Sequence, residues 1–221
     1  GKIFIINRTL SKILILNGSS LKLEKEYNLT GSNPHDIAFI NQSKAFVTFY
    51  GSDYIAIINP MTGTQTDTIN IRQFNAHNDA AADADQMQIV GDKVFITIQN
   101  QYNWSSINPK IIVVNANTNA IIDTININGL TNPNENKDYC EATGKLYFAF
   151  TGNWYDSEAT GILEVDSVTH QTRVLCIGGQ NNTDTMIDGA FTGVKVISAD
   201  TGYCIYSGTW PNYYIASFNP T

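Results

Sequence analysis

Acidic side chains are concentrated in the stretches that separate short apolar runs of this chain. Aspartates in such places commonly cap turns through their own backbone, and that is the simpler interpretation here. The alternative is a bound cation, because carboxylates beside asparagine carbonyls form the oxygen-rich environment that Ca²⁺ prefers. The stretch 78–85 is the densest and places a Ca²⁺ site at Asp79, Asp83 and Asp85, although it lacks the spacing and glycine of an EF-hand loop. The carboxylates of these stretches are Asp36, Asp79, Asp83, Asp85, Glu135, Asp138, Asp184 and Asp188.

Histidines are the second set of residues that could do chemistry. His35 and His77 lie among these aspartates, whereas His170 falls in a turn expected on the opposite face. Two histidines near carboxylates could ligate a transition metal or act as acid and base. The sequence contains no HExxH, no CxxC, no nucleophile elbow and no phosphate-binding glycine loop. Catalysis is therefore less expected than binding, and a metal-dependent lyase or hydrolase is kept as an alternative.

Aromatic residues gather in a second class of polar stretch. Exposed rings on a rigid scaffold stack against sugar rings or dock a protein, so these residues are candidate ligand contacts, together with His35 and Asp36. The alternative is that the rings cap the sheet cores from above. The aromatic candidates are Trp104, Trp154, Trp210, Tyr102 and Tyr155 as ligand contacts, with Tyr50, Tyr213 and Tyr214 beside them.

A repeat accounts for the spacing of all these stretches. Units begin with a lysine followed by an apolar run, as in KAFVTF and KVFITI, and a partial fifth unit begins near YCIYSG. Their spacing of about 40 to 50 residues is the period of a propeller blade. The leading lysines are Lys2, Lys44, Lys93 and Lys145.

Each unit contains four short strands and shows no helical period. In the second unit these are Lys44–Phe49, Tyr54–Ile58, Gln65–Ile71 and Gln86–Val90. The last of these precedes the next lysine. Four strands per repeat predict an all-β β-propeller with four-stranded antiparallel blades, about four to five in this chain. We treat residues 1–221 as a single propeller domain.

The residues GSNPHDIAF, KAFVTFYGSDYIAIINPMTG and TDTINI resemble the YVTN family of β-propellers, found in bacterial and archaeal surface and periplasmic proteins. The resemblance covers nearly the whole chain and is best in the second unit. It implies an extracellular, cell-surface or periplasmic location and a binding or structural role without known catalysis. Related propellers have more blades than this chain supplies. Either the ring is unusually small or, as we favour, the chain is a segment of a longer propeller, and open blade edges would then predict self-assembly or completion by further sequence.

Composition excludes several classes of partner. The net charge of -7 and the sequence pI of about 4.8 disfavour nucleic acid, because an acidic surface repels phosphates. No apolar run approaches the roughly 20 residues of a membrane-spanning helix, so no membrane insertion is expected. Cys140, Cys176 and Cys204 are predicted to be buried strand cysteines, with one inter-strand bridge as the alternative.

Sequons would permit N-glycosylation in a secreted protein, although composition alone would produce several of them by chance. They lie at Asn7, Asn17, Asn28, Asn41, Asn103 and Asn181.

In a propeller, the loop between the second and third strands of a blade shares a face with the loop leading to the next blade. The sequence therefore predicts that the tryptophans lie on the same face as Asp36, Asp85 and Asp138. The favoured function is a non-catalytic binding or scaffold module for a carbohydrate or protein ligand. A structural subunit completed by another chain is the alternative.

Overall fold

The computed structural model describes residues 1–77, 79, 81–103, 105–153, 156–178, 189–207 and 212–221. Regular structure in these ranges is β-strand, apart from the three-residue 3-10 helix Arg72–Phe74. The predicted all-β class is confirmed. Over the same ranges, no helix is long and apolar enough to cross a membrane.

Twenty strands run through the described residues. In chain order the strands are β1 (Lys2–Asn7), β2 (Lys12–Asn17), β3 (Leu23–Asn28), β4 (Pro34–Asn41), β5 (Lys44–Phe49), β6 (Tyr54–Ile58), β7 (Gln65–Asn70), β8 (Ala84–Val90), β9 (Lys93–Ile98), β10 (Gln101–Tyr102), β11 (Ser105–Ser106), β12 (Lys110–Asn115), β13 (Ile121–Asn126), β14 (Pro133–Cys140), β15 (Lys145–Asn153), β16 (Asp156–Asp166), β17 (Thr172–Gly178), β18 (Phe191–Val196), β19 (Gly202–Ser207) and β20 (Tyr213–Phe218).

Five sheets follow one another along the described chain. The second, third and fourth sheets are four-stranded, with the orders β4-β5-β6-β7, β8-β9-β12-β13 and β14-β15-β16-β17. The first sheet is β1-β2-β3 and the fifth is β18-β19-β20, while β10 and β11 form a separate hairpin. Lys44–Phe49, Lys93–Ile98 and the strand that begins at Lys145 occupy the second place in their sheets. The predicted equivalence of these three segments is confirmed.

The chain divides into two compact units, residues 1–100 with 114–122 and residues 101–113 with 123–221. In the first unit, one cluster of buried apolar residues lies between the first and second sheets; it consists of Ile13, Ile15, Ala45, Val47, Phe49, Ala56 and Ile58.

The core of the second unit lies between the fourth and fifth sheets, and all three cysteines belong to it as free thiols. Cys140 and Cys204 are buried and Cys176 is partly buried. Burial, with a smaller contribution from Cys204, raises the pKa of the Cys176 thiol to about 11. The buried residues of this core are Cys140, Tyr147, Ala149, Ile162, Phe191, Val194, Val196, Cys204 and Tyr206.

One backbone feature recurs before β4, β8 and β14, the edge strands that come first along the chain in their sheets and that we call the innermost strands. Asn33, Asp83 and Asn132 each precede β4, β8 or β14 and each has a left-handed backbone, with φ of 53°, 55° and 56°. Asn and Asp tolerate this conformation better than other side chains that carry a Cβ. Their carbonyls accept the N–H of Tyr50, Gln99 and Thr151, each at 3.0 Å. Tyr50 and Gln99 directly follow the second strand of their sheets, and Thr151 has the same place relative to the leading lysine within the longer β15. The tie therefore fixes where each of β4, β8 and β14 begins.

Candidate functional site

β-Bulges open the innermost strands where polar residues are concentrated. In β4, Pro34 pairs with Phe49 and Ile37 with Val47, so the strand carries one extra residue. In β8 the pairs Ala84–Ile98 and Met87–Ile96 show the same shift. Bulges re-aim side chains and are frequent beside functional sites. Here they set His35, Asp36, Asp85 and Gln86 at the start of their strands.

Threonines on the neighbouring strands satisfy the backbone groups that the bulges release. The hydroxyl of Thr48 accepts the N–H of Asp36 at 3.0 Å, and that of Thr97 accepts the N–H of Gln86 at 3.0 Å. Thr48 also donates to the Asp85 carbonyl at 2.6 Å, which ties β5 to β8. These bonds hold the bulges in one conformation and so position the side chains described next.

His35 and Asp85 form a buried pair between the second and third sheets. Nδ1 of His35 lies 2.5 Å from Oδ1 of Asp85, and the two side chains are 4% and 0% exposed. Asp85 also accepts hydrogen bonds from the side chains of Gln99 and Gln86. Nε2 of His35 is buried and has no hydrogen-bond partner. The pair therefore fixes the ring and leaves one nitrogen available inside the structure.

Three further residues, Tyr50, Arg8 and Asn33, lie beside this pair. We call the whole group the His35 cluster, and its members are His35, Asp85, Gln99, Tyr50, Arg8 and Asn33. The Tyr50 ring meets the His35 ring edge-on, with centroids 3.9 Å apart. The exposed Arg8 guanidinium lies 5.8 Å from the Tyr50 ring centroid. Its Nε donates to Oδ1 of Asn33 at 3.1 Å. The cluster thus extends from the buried His35–Asp85 pair to the exposed Arg8 guanidinium, with the Tyr50 ring between them.

Within each unit, the two predicted loop classes meet. In the first unit the N–H of Gly51, after β5, donates to the carbonyl of Ser32, before β4, at 3.1 Å. In the second, Gly152 donates to Thr131 in the same way, also at 3.1 Å. Gly51 therefore lies beside the residues that precede β4, and Gly152 beside the residues that precede β14.

Asp36 and Asp138 tie adjacent innermost strands together. Oδ2 of Asp36 accepts the N–H of Met87 on β8 at 2.8 Å. Oδ2 of Asp138 accepts the N–H of Val196 on β18 at 2.8 Å, and its Oδ1 accepts from Lys195 at 2.6 Å. Each carboxylate therefore accepts hydrogen bonds from the neighbouring sheet. This contact explains why an acidic residue stands at each position.

Asp36, Asp85 and Asp138 do not occupy matched positions in their strands. When β4 and β8 are aligned on their first paired residues, Pro34 and Ala84, Asp85 is equivalent to His35. In the same alignment Gln86 is equivalent to Asp36. The three aspartates also lie inside β4, β8 and β14 rather than before them. In β14 the shift spans two extra residues, so Asp138 falls further along its strand than Asp36. The longer bulge of β14 accounts for the place of Asp138, whereas β4 and β8 have bulges of equal length and carry their aspartates at neighbouring positions of the bulge.

Several predicted contacts lie outside the described residues. Tyr102 is exposed on β10, directly before the turn of the β10–β11 hairpin. Strands β15 and β16 likewise extend as a hairpin through the fourth unit's long loop. The predicted placement of the tryptophans on the aspartate face stays a prediction. The residues outside the described ranges are Trp104, Trp154, Tyr155, Asp184, Asp188 and Trp210, and the side chain of Glu135 is not described either.

The predicted Ca²⁺ residues have distinct surroundings. Asp79 is exposed, and its carbonyl accepts from the Asn75 side chain at 3.3 Å. Asp83 is buried and occupies the left-handed position that Asn33 and Asn132 share. Asp85 is bound to His35 as above. Across the described ranges, no group of three or more His, Cys, Asp or Glu residues is arranged to hold a metal ion. The Ca²⁺ site stays a prediction.

The remaining histidines are placed elsewhere. His77 follows the 3-10 helix and is half-buried. His170 lies in the turn between β16 and β17, where its Nδ1 is 2.5 Å from Oδ2 of Asp123. His170 thus also forms a His–Asp pair, but with a carboxylate that is 44% exposed.

The sequon asparagines lie in varied surroundings. Asn28, Asn41 and Asn103 are exposed, whereas Asn7 and Asn17 are half-buried and accept backbone hydrogen bonds within their turns. Asn181 is outside the described residues.

Sequence comparison identifies no relative: no family profile matches the chain, and no curated protein matches it by sequence. Structural comparison finds similarity to a chain of Kuenenia stuttgartiensis hydrazine synthase, with a TM-score of 0.70 and 14% identity. The match covers 92% of this chain and 58% of that one, so this chain spans less than two thirds of its structural neighbour. At that identity the likeness concerns fold alone. The chain has a β-propeller-like, all-β fold of several four-stranded antiparallel sheets.

Proposed function

We propose that this chain is part of an extracytoplasmic β-propeller of the YVTN type that serves as a non-catalytic binding and scaffold module. The blade-length period, the four-stranded sheets and the propeller-like neighbour support the architecture. Binding residues in repeat scaffolds are carried on loops and strand ends held by rigid sheets. The His35 cluster has that placement in the first unit.

The observation that carries the proposal is the buried, unpartnered Nε2 of His35. A buried polar atom without a partner costs about 1–3 kcal/mol. Because Nδ1 lies within hydrogen-bond distance of the Asp85 carboxylate, which accepts, Nδ1 is the donor of this pair, and in the neutral ring Nε2 is then an acceptor. A ligand hydroxyl or N–H that donated a hydrogen bond to Nε2 would remove this unfavourable contribution to the free energy. The ligand we favour is a carbohydrate, whose hydroxyls would bond Nε2 and the polar groups of Arg8 and Asn33, while Tyr50 offers its ring.

The same geometry supports binding over metal-assisted chemistry. Both oxygens of Asp85 already accept hydrogen bonds, from His35 and Gln86 on one side and Gln99 on the other. Recruiting Asp85 to a cation would break the pair that orients His35. The metal-dependent lyase or hydrolase therefore stays the alternative with less support.

His35→Asn should weaken ligand binding. Asparagine retains an N–H near the place of Nδ1, facing Asp85, but has no atom at the place of Nε2. We expect binding of an oligosaccharide selected on a glycan array to weaken by about tenfold or more, since one buried hydrogen bond is lost. Calorimetric titration measures the affinity, and His35→Gln, which restores a polar atom near Nε2, should recover part of it.

The matched control is His170→Asn, which alters the other His–Asp pair and should leave affinity unchanged. Asparagine also tolerates the positive φ of 59° at position 170. Equal affinity of His35→Asn and the unaltered chain would contradict the proposed site. An unaltered chain that retained no glycan on the array would overturn the carbohydrate ligand.

A further inference from the structure

One of the N-glycosylation sequons holds its asparagine and its hydroxyl side by side at the surface. Asn41 ends β4, and Gln42 and Ser43 form the turn to β5, with all three residues exposed. Oδ1 of Asn41 accepts the backbone N–H of Ser43 at 2.9 Å and the Ser43 hydroxyl at 3.0 Å. The carboxamide and the hydroxyl that define a sequon are therefore presented together.

The contacts of Asn41 leave its amide nitrogen accessible. Both side-chain hydrogen bonds use Oδ1, and within the described ranges Nδ2 donates to no other group. Nδ2 is the atom that carries the sugar after N-glycosylation. The Ser43 hydroxyl likewise bonds to Asn41 itself, so no contact with another strand has to break before an enzyme binds the sequon.

The first-sheet sequons at Asn7 and Asn17 are presented differently. Both asparagines are half-buried. Nδ2 of Asn17 donates to Oε1 of Glu24 at 3.0 Å, so the nitrogen that would carry a sugar is engaged. Oδ1 of Asn7 accepts the N–H of Leu10 at 3.0 Å rather than the hydroxyl of its own sequon. Neither asparagine therefore combines exposure with the arrangement seen at Asn41.

The sequon at Asn28 has an exposed asparagine but an engaged hydroxyl. Its hydroxyl belongs to Thr30, which donates to Oε1 of Gln65 at 2.5 Å and lies 3.2 Å from the Tyr54 hydroxyl. A transferase would have to detach Thr30 from the second sheet before it could bind this sequon. Asn41 is thus the best presented of the four sequons that the structure describes in full.

We propose that Asn41 is a site of N-glycosylation on the folded chain, in preference to the sequons at Asn7, Asn17 and Asn28. The inference rests on the extracytoplasmic location in the proposed function, because sequons are modified in secreted proteins. In the reaction, Nδ2 forms a bond to the anomeric carbon of a sugar carried on a lipid pyrophosphate. The bond from that carbon to the pyrophosphate oxygen breaks, the lipid pyrophosphate leaves, and Nδ2 loses a proton to a base of the transferase.

A glycan at Asn41 would lie away from the proposed ligand site. His35 is near the start of β4 and Asn41 is at its end. The strand between them spans about 20 Å, since each residue of a strand advances about 3.3 Å. The glycan would therefore add a bulky, solubilising group at one end of the second sheet and leave the His35 end uncovered.

The test is enzymatic glycosylation of the purified, folded chain. An oligosaccharyltransferase that needs no residue beyond Asn-Xaa-Ser/Thr is supplied with a lipid-pyrophosphate-linked sugar, and peptide mass spectrometry measures the modified fraction of each asparagine. We expect the modified fraction at Asn41 to exceed those at Asn7, Asn17 and Asn28 severalfold. In unstructured peptides with the same four sequons this preference should disappear, because it arises from the fold.

Ser43→Ala should abolish modification at Asn41, and Ser43→Thr should retain it, since threonine keeps the hydroxyl. The matched control is Asn28→Gln, which should leave the modified fraction at Asn41 unchanged. Circular dichroism checks that each variant is folded. The chain isolated from its own cells should also carry sugar at Asn41.

An unmodified Asn41, in the enzymatic reaction or in the chain from its own cells, would overturn the inference. Equal modification of Asn41 and Asn17 in the folded chain would overturn it as well. Oligosaccharide binding decides the proposed function separately. Binding that depends on His35 in a chain whose Asn41 stays unmodified would leave the proposed ligand site standing and remove the glycosylation site alone.

Discussion

Phe49→Ala should lower the free energy of unfolding by about 3–5 kcal/mol. Phe49 is fully buried in the core between the first and second sheets, where its ring lies 5.6 Å from the Tyr54 ring. Truncation removes the burial of the ring and leaves a cavity that the flanking strands can fill only in part. Guanidinium denaturation followed by circular dichroism measures the change.

Phe39→Ala is the matched control, because the same truncation occurs at a side chain that is 41% exposed. Its ring contacts Phe4 at a centroid distance of 4.7 Å, so we expect a loss of about 1 kcal/mol or less. Similar losses of unfolding free energy in the two variants would contradict the packing of the first sheet on the face of the second sheet that carries Phe49.

Asp85→Ala should cost about 3 kcal/mol or more of stability. The change leaves the His35 Nδ1 and the Gln99 amide, both buried, without the carboxylate that accepts from them. Asp85→Asn should also destabilise, because its amide group presents donors to side chains that need an acceptor. The same denaturation experiment gives both values.

Asp67→Ala serves as the control, since Asp67 is exposed on β7 and its carboxylate accepts from the adjacent Thr68 N–H. A change within about 0.5 kcal/mol is expected there. A comparably small effect at Asp85 would mean that this carboxylate does not hold His35 in place.

Sequence periodicity predicted the strands closely because each repeat pairs an apolar run with strong turn residues. β5 and β6 begin and end where the pattern placed them. The long loops of the third and fourth units were less predictable. They contain a short hairpin, β10–β11, and a hairpin extension of β15 and β16, whose polar residues lack the alternation that signals a strand.

The candidate site was predicted only in part. Loop class placed His35 and Asp85 in the same set, but their direct contact depends on bulges that add residues without a sequence signal. Gln99 was missed because it directly follows an apolar strand and resembles an ordinary loop residue. The recurrent left-handed Asn or Asp, visible in NP at Asn33 and Asn132, was the available sign of where each innermost strand starts.

The most direct test of the binding site is nitrogen-15 NMR of the histidine side chains during titration with the array-selected oligosaccharide. His35→Asn assigns the His35 signals, and His170 provides an internal reference. We expect the free protein to show His35 protonated at Nδ1, and its Nε2 resonance to shift in proportion to the bound fraction while the His170 signals stay fixed. Saturation with glycan that left the His35 Nε2 resonance unmoved would contradict the proposed site.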